Sequence, residues 1–530
     1  MAKIFAVTQR KTVKETLRPN IIIVMSDQQQ AALRKGAGYC LDTMPNLDRF
    51  GRENIDLVNA YTSNPTCCPA RTSMFTGRYA SCHKVRTNHN VTDVTYVEDL
   101  LNVLKNVGFT TAICGKNHTY RRPETDFDFC AASEHLGREI GKDSEPDSPL
   151  QAQFRDFLKS TRFIDSTEPT PFPVHCQLPY RNVSAALRFI DSRPQDKPFF
   201  TWVSFAEPHN PYQVPEPYYS MFPPESLPKL ISADMDLIKK GPRYTWIKGV
   251  WDKILGDDKP RLERMRSNYH GMLRLIDDQF GRLIDGLKAR GIYDNTIVLY
   301  LADHGDYAGE YGMMRKGPDL PEVLTHIPMI WHIPGFKAQG RNITGFANIV
   351  DVFPTLCDLL DLPIPFGVQG KSLVPLFKGE APAGEYDIAY SESGFGGLYW
   401  TDEDELDVCT EGASQNYETF DCLNTWTQCG QIRMVIKDHY KLQIDMEGTC
   451  YLYDLSNDPL EMDNLYGRSG MENVQMEMLR QMSAAILRAQ DPLPPPHRRY
   501  RFKRHPKGFT NQFYCAQDNG VENLKKYPKY

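Results

Sequence analysis

The sequence contains no apolar run approaching the roughly 18–20 residues that cross a bilayer. Its opening, MAKIFAVTQRKTVKETLRPN, lacks the apolar centre of a secretory leader. Neither sign of charge dominates, since 61 Lys and Arg stand against 67 Asp and Glu for a net charge of −6. Without a chain-wide basic field, nucleic acid and membrane surfaces are excluded as expected partners, and an anionic ligand needs a local site. Cysteine is too sparse for a disulfide scaffold, with thirteen in 530 residues and an odd total. The expectation is mostly reduced, buried thiols in a cytoplasmic protein, where the sequons at Asn182 and Asn342 carry no meaning. There is no internal repeat. Disorder as a global description is excluded by an aromatic content of 11%.

What is present is an alternation of helical and strand patterns. Residues 20–26, NIIIVMS, read as a buried strand ending at Asp27. Val97, Leu100, Leu101 and Leu104 have helical spacing, and Phe109 to Cys114 reads as the strand after them. A helix around Leu187 and Ile190 precedes the strand FFTWVSF, and a long helix over about 262–290 precedes TIVLYLA, which runs to Asp303. This grammar predicts an α/β fold with a large, mostly parallel central sheet flanked by helices. Ligands in such sheets bind beyond the carboxyl ends of the strands. Asp27, Lys116, Glu207 with His209, and Asp303 with His304 each follow such an end, and four coinciding arrivals mark one edge as a site.

After about residue 375 the grammar changes. An acidic stretch holding Asp402, Glu403, Asp404, Glu405 and Asp407 reads as an inserted loop. Three short strands within 433–453 and a helix around 471–489 follow. The expected division is a catalytic α/β domain over 1–375, a smaller α+β subdomain with a short antiparallel sheet over 376–490, and a Pro-rich, basic, extended tail over 491–530.

Residues 64–79 read NPTCCPARTSMFTGRY. A helix expected to start near Pro69 or Ala70 puts Cys67 at its positive end, where a thiol or a derived oxygen nucleophile is favoured as an anion. Arg71 can reach back to the same centre. A buried cysteine pair is the plain alternative at this point.

Cys67-x-Pro69-x-Arg71 followed by Thr76-Gly77-Arg78 resembles the signature of the formylglycine-dependent type I sulfatases, of the alkaline phosphatase superfamily. Further motifs fall in that family's order: Asp27-Gln28, Gly115-Lys116-Asn117-His118, Pro208-His209-Asn210-Pro211, Asp303-His304-Gly305, Lys316, and the ending Leu452-Tyr453-Asp454-Leu455. The set spans roughly residues 20–466. The resemblance implies that a maturation enzyme converts Cys67 to formylglycine (3-oxoalanine), and that the hydrated aldehyde attacks a sulfate ester. It also implies one divalent metal ion held by Asp27, Gln28, Cys67, Asp303 and His304, which lowers the pKa of that hydrate. Arg71 would steady the hydrate, while Lys116 and Lys316 neutralise the transferring sulfuryl group. His209 would be the acid for the leaving oxygen and His118 the base of the second half-reaction.

Many sulfatases carry two aspartates where this chain has Asp27-Gln28. Oxygen-rich sites suit Ca2+, the first expectation, whereas His304 tilts the set toward Mn2+ or Zn2+. The same Asp-Gln and Asp-His pairs also resemble phosphonate monoester and phosphodiester hydrolases, the alternative function. Those relatives lack the Gly-Lys-x-His motif, so Lys116 and His118 favour sulfate. The expected substrate is a sulfated sugar or a small aryl or alkyl sulfate, with Tyr399, Trp400 and Trp426 as candidate stacking surfaces. The basic stretch from Arg498 to Lys507 suggests contacts in a homo-oligomer.

Overall fold

Four consecutive branched aliphatic residues, Ile21 to Val24, need cover on both faces, so their strand belongs in the middle of a sheet. In the computed structural model, Asn20–Ser26 is wholly buried and fourth of eight strands. The structure describes residues 18–396 and 430–490, apart from residues 163, 231, 233–234, 257–258, 318 and 337–341. Across the sheet the order is Phe129–Ala132, Thr110–Gly115, Phe199–Ser204, Asn20–Ser26, Thr296–Ala302, Met329–His332, Ile55–Leu57 and Asn342–Ile343. The first five are mutually parallel, and Met329–His332 runs against both its neighbours.

Alternate residues of the central strand feed two separate cores. Ile22 and Val24 pack beneath the helices Leu178–Ser192 and Lys259–Ala289 through Val183, Phe189, Leu273 and Phe280. Ile21, Ile23 and Met25 pack on the other face with Met74, Phe75, Leu101 and Phe353, from the helices Cys67–Thr76, Leu100–Asn106 and Val352–Leu359. The expected α/β class is therefore the observed one.

A second sheet is antiparallel, in the order Ile388–Gly396, Gly430–Lys437, Tyr440–Asp445 and Cys450–Asp454. Met478, Met482, Ala485 and Ala489 of the helix Glu472–Gln490 cover one of its faces. Three of these strands are the ones expected from sequence; Ile388–Gly396 is additional, and its pairing partner lies beyond the insertion. A smaller difference concerns Val97, whose spacing fits the helix but which lies exposed before it. Asp99 starts that helix by accepting a hydrogen bond from Asn102 N at 2.9 Å. Tyr399, Trp400, Trp426, the acidic cluster at 402–407 and the tail from 491 lie outside the described residues. Among the described residues no helix is long and apolar enough to cross a membrane. Asn182 is buried and donates to Ser204 O at 3.2 Å, so its sequon is closed to modification in the folded chain.

Candidate active site

Four parallel strands lie side by side, so their carboxyl ends share one edge. The ladder continues one step past those ends: Asp27 N donates to Glu207 O, Lys116 N to Ser204 O, and Asp303 N to Ser26 O. This fixes the backbone from which the polar side chains project. Gly115, at φ +106°, makes the exit before Lys116. A Cβ there would stand 2.1 Å from the Ser204 carbonyl oxygen, so only glycine permits the approach.

The helix carrying Cys67 starts at Cys67 itself, ahead of the Pro69 or Ala70 expected from sequence. Cys68 N finds the Asn88 side-chain oxygen at 3.0 Å, which satisfies one of the orphan donors of the first turn. Pro69, in the same turn, has no N–H to satisfy. All ten residues of the helix are buried. Its first side chain points at a cluster of charged groups. Cys67 Sγ lies 3.2 Å from His304 Nε2, 3.4 Å from Lys316 Nζ and 3.6 Å from Asp27 Oδ1. Burial and Asp27 push the thiol up, but Lys116, Lys316 and His304 outweigh them and bring it down to about 6. Cys68, whose Sγ lies 3.8 Å from Asn88 O, is pushed up by burial and by the Cys67 charge.

Arg71, one turn along, joins the elements. Its Nε donates to Asp303 Oδ2 at 2.8 Å and its Nη2 to Asp27 Oδ2 at 3.0 Å, while Nη1 reaches Ser204 Oγ and Lys116 O. Lys116 Nζ also donates to Asp27 Oδ2. Burial raises the pKa of Asp27, yet Lys116 and Arg71 hold it well below the usual carboxylate range. Gln28 N and His304 N both donate to Asp303 Oδ1. Since the Gly305 carbonyl can only accept, His304 Nδ1 carries the hydrogen that reaches it at 2.8 Å, and Nε2 faces the cluster. Burial opposes charge on His304, but Asp303 and Cys67 raise its pKa overall.

Ligand atoms of Asp27, Cys67, Asp303 and His304 lie within 4.8 Å of one another. With the Gln28 amide oxygen nearby, two carboxylates, an amide and an imidazole nitrogen converge, a donor set that suits a divalent cation. The set fits the metal that the sequence resemblance implies.

The histidines form a second group beside this one. His209 Nδ1 donates to Asn210 O at 2.7 Å, so the ring hydrogen sits on Nδ1. Burial and Lys316 hold His209 well below its ordinary value, so it is neutral before an anion arrives. His118 does not stack on it directly. A third residue, His135, intervenes, with ring centroids 5.1 Å from His118 and 4.6 Å from His209. His135 lies in the turn after Phe129–Ala132, has no motif around it, and escaped the sequence reading. Asp306 and Ser204 also went unnoticed, although Asp306 stands three residues beyond Asp303. Thus Asp27, Gln28, Cys67, Arg71, Lys116, Asp303, His304 and Lys316 share one contact network, and His118 and His209 share the imidazole cluster.

A parallel-sheet edge brings a helix-start thiol, two carboxylates and three cations together, an arrangement suited to hydrolysis of a charged ester. The family model described as Sulfatase matches residues 19–362, and the chain belongs to the sulfatase family of sulfuric ester hydrolases. An arylsulfatase of Clostridium perfringens is 28% identical over 85% of this chain and 90% of its own length. Among solved structures, the phosphonate monoester hydrolase of Agrobacterium radiobacter superposes with a TM-score of 0.71 at 22% identity, covering 89% of this chain and 96% of that one. A protein solved with its substrate D-glucosamine-2-N,6-O-disulfate gives 0.65 at 19% identity, covering 89% of this chain and 98% of that one.

Proposed function

We propose that this chain is a formylglycine-dependent sulfatase acting on a sulfated sugar or a small aryl or alkyl sulfate, with Cys67 as the residue matured. The carrying observation is the position of Cys67 Sγ, within 3.6 Å of Asp27, His304 and Lys316 at the start of a buried helix. On this reading the formylglycine oxygens would take the place of Sγ. The hydrate supplies an oxygen that forms the new bond to sulfur as the bond to the leaving oxygen breaks. Its second hydroxyl then expels sulfate by collapse to the aldehyde, so water need not attack sulfur. Asp27, Gln28, Asp303 and His304 would hold the divalent cation, with Ca2+ the first candidate and Mn2+ or Zn2+ the others. When bound, it polarises a sulfate oxygen and favours the ionised nucleophile.

The remaining work belongs to the side chains. Arg71 is fully buried and bonded to both carboxylates, so it locks the strand ends and the nucleophile helix in one arrangement. Lys116 and Lys316 supply fixed positive charge in a dry site, where it acts on the transferring group without reorganisation. His209 is neutral when the site is empty of substrate, and the negative charge of an arriving sulfate ester favours its protonated form. It then gives its Nε2 proton to the leaving oxygen. His118 takes the proton released as the hemiacetal sulfate collapses.

The Asp27-Gln28 and Asp303-His304 pairs, with the fold likeness to a phosphonate monoester hydrolase, sustain a second reading as a phosphonate monoester or phosphodiester hydrolase. Matched initial rates on nitrophenyl sulfate and nitrophenyl phenylphosphonate decide between them, with Cys67→Ala as the blank. The expected outcome is a clear sulfate preference, with turnover abolished in Cys67→Ala while its melting temperature stays near the parent's. A phosphonate preference would put the second reading first. Undiminished activity in Cys67→Ala would remove both.

A further inference from the structure

Asp306 takes no part in the roles assigned above, yet its carboxylate is fully buried and fully used. Oδ1 accepts from Ala308 N at 2.7 Å and Arg315 N at 2.8 Å. Oδ2 accepts from Tyr212 OH at 2.7 Å and Gln28 Nε2 at 2.6 Å. Four donors thus saturate a group whose ionised form offers only acceptors. The bond to Gln28 has a consequence on the other side of the amide. With Nε2 committed to Asp306, Oε1 points the opposite way, and it accepts from Lys316 Nζ at 3.1 Å. That same Nζ lies 3.4 Å from Cys67 Sγ. The Gln28 backbone is fixed as well, at φ +69°, with its N–H on Asp303 Oδ1 and its carbonyl accepting from Tyr269 OH at 2.7 Å.

We propose that Asp306 is a positioning residue that sets the direction of the Gln28 amide, so that its oxygen and not its nitrogen faces Lys316, Cys67 and the cation site. The inference deepens the sulfatase reading and rests on it. An amide has no intrinsic preference between its two ends, and a flipped Gln28 would aim an NH2 group at the ammonium of Lys316 and at any bound cation. A carboxylate at position 306 forbids that flip, because it would then face the amide oxygen at hydrogen-bonding distance. The arrangement also explains why residue 28 is an amide. A carboxylate there would meet that of Asp306 across about 2.6 Å inside a dry site, where like charges are costly. Gln28 and Asp306 therefore act as a donor–acceptor pair whose polarity can be exchanged.

The test uses the matured full-length protein and three variants, Asp306→Asn, Gln28→Glu and the double exchange Gln28→Glu/Asp306→Asn. Each is assayed for Ca2+ and Mn2+ affinity by calorimetry, for kcat and KM on nitrophenyl sulfate, and for melting temperature. In Asp306→Asn two NH2 groups confront each other and the Gln28 amide turns. Each single change should cost roughly 10–100-fold in ion affinity and in kcat, the usual range for a partner behind a ligand. The double exchange restores one donor and one acceptor, and should recover most of both losses. Asp306→Asn with the parent's ion affinity and kcat would overturn the proposal. So would a double variant no better than the worse single one, or equal losses of melting temperature in all three, which would make Asp306 a packing residue only. A parent no faster than Cys67→Ala would bring down the sulfatase reading separately, with the calorimetric arm still judging Asp306. A parent that turns over sulfate but takes up no ion would remove the cation, and recovery of kcat in the double variant would then decide.

Discussion

At the scale of single residues the site divides into groups that spacing reveals and groups that only folding reveals. Cys67, Arg71, Lys116 and His118 stand in short motifs because each motif is one local turn whose geometry needs its neighbours. Asp27 and Asp303 are legible for a different reason, as they end apolar runs that can only be central strands. His135 had neither kind of signal. It reaches His118 and His209 because the turn after Phe129–Ala132 folds over the sheet edge, and no spacing encodes that. The helix start was misjudged for a similarly physical reason, since the Asn88 oxygen that satisfies Cys68 N comes from a loop twenty residues away. The acid role proposed for His209 makes a graded prediction. His209→Ala should slow sulfated sugars, whose hydroxyl leaving groups need a proton, far more than nitrophenyl sulfate, whose phenolate departs without one. General acid catalysis of this kind is worth about 10²–10⁴-fold. Equal losses on both substrates, measured as kcat, would rule out that role.

At the scale of elements, length and environment decided what could be read. Asn20–Ser26 and Thr296–Ala302 are seven-residue apolar strands buried throughout, and both are evident in the sequence. Ile55–Leu57 and Asn342–Ile343 have three and two residues, too few to establish any period, and they exist because neighbouring strands offer them partners. The helix Cys67–Thr76 shows no polar face because it is buried all round, so a motif rather than periodicity located it. That burial has a testable cost in acid. His83 sits against this helix, with Ser73 Oγ 3.0 Å from Nε2 and Val85 N donating to Nδ1 at 3.1 Å. Burial, with Arg78 and Arg86 nearby, brings its pKa down to about 3 from an ordinary value of 6.5. Because the folded pKa lies below the unfolded one, the unfolded chain takes up the proton first. The stability linked to His83 is therefore complete above about pH 6.5 and declines as pH falls toward 3, by up to about 1.4 kcal/mol per unit. His83→Gln removes this proton uptake, so its melting temperature should fall less steeply than the parent's between those pH values. Parallel slopes for the two proteins would show that His83 does not carry the linkage.

At the scale of the whole molecule, the second sheet braces the segment that delivers Lys316. Lys441, buried in the strand Tyr440–Asp445, lies 2.9 Å from Glu322 and 2.7 Å from Glu461. Glu322 in turn accepts from Tyr61 OH at 2.9 Å, close to the chain entering the helix Cys67–Thr76. Arg243 adds a second tie, pairing with Asp319 at 2.7 Å and Asp445 at 3.2 Å, and Leu320 N donates to the Gln443 side chain at 3.3 Å. The stretch from Asp319 to Glu322 begins three residues after Lys316, so the loop carrying that lysine is tied to a sheet more than a hundred residues later in the chain. Burial opposes charge on Glu322, but Lys441 and His326 lower its pKa, so its carboxylate depends on the ammonium beside it. Removing one member of a buried group of charges leaves its partners without compensation, a loss of about 3–5 kcal/mol. Lys441→Met should accordingly unfold at markedly lower denaturant concentration and lose kcat on nitrophenyl sulfate. Neutralising both acids in the same chain, Lys441→Met/Glu322→Gln/Glu461→Gln, should return much of the stability because the two carboxylates that faced Lys441 are no longer charged. If kcat recovers along with stability, the sheet acts on Lys316 through this contact. If Lys441→Met alone matches the parent in unfolding and in kcat, the brace lies elsewhere in the interface.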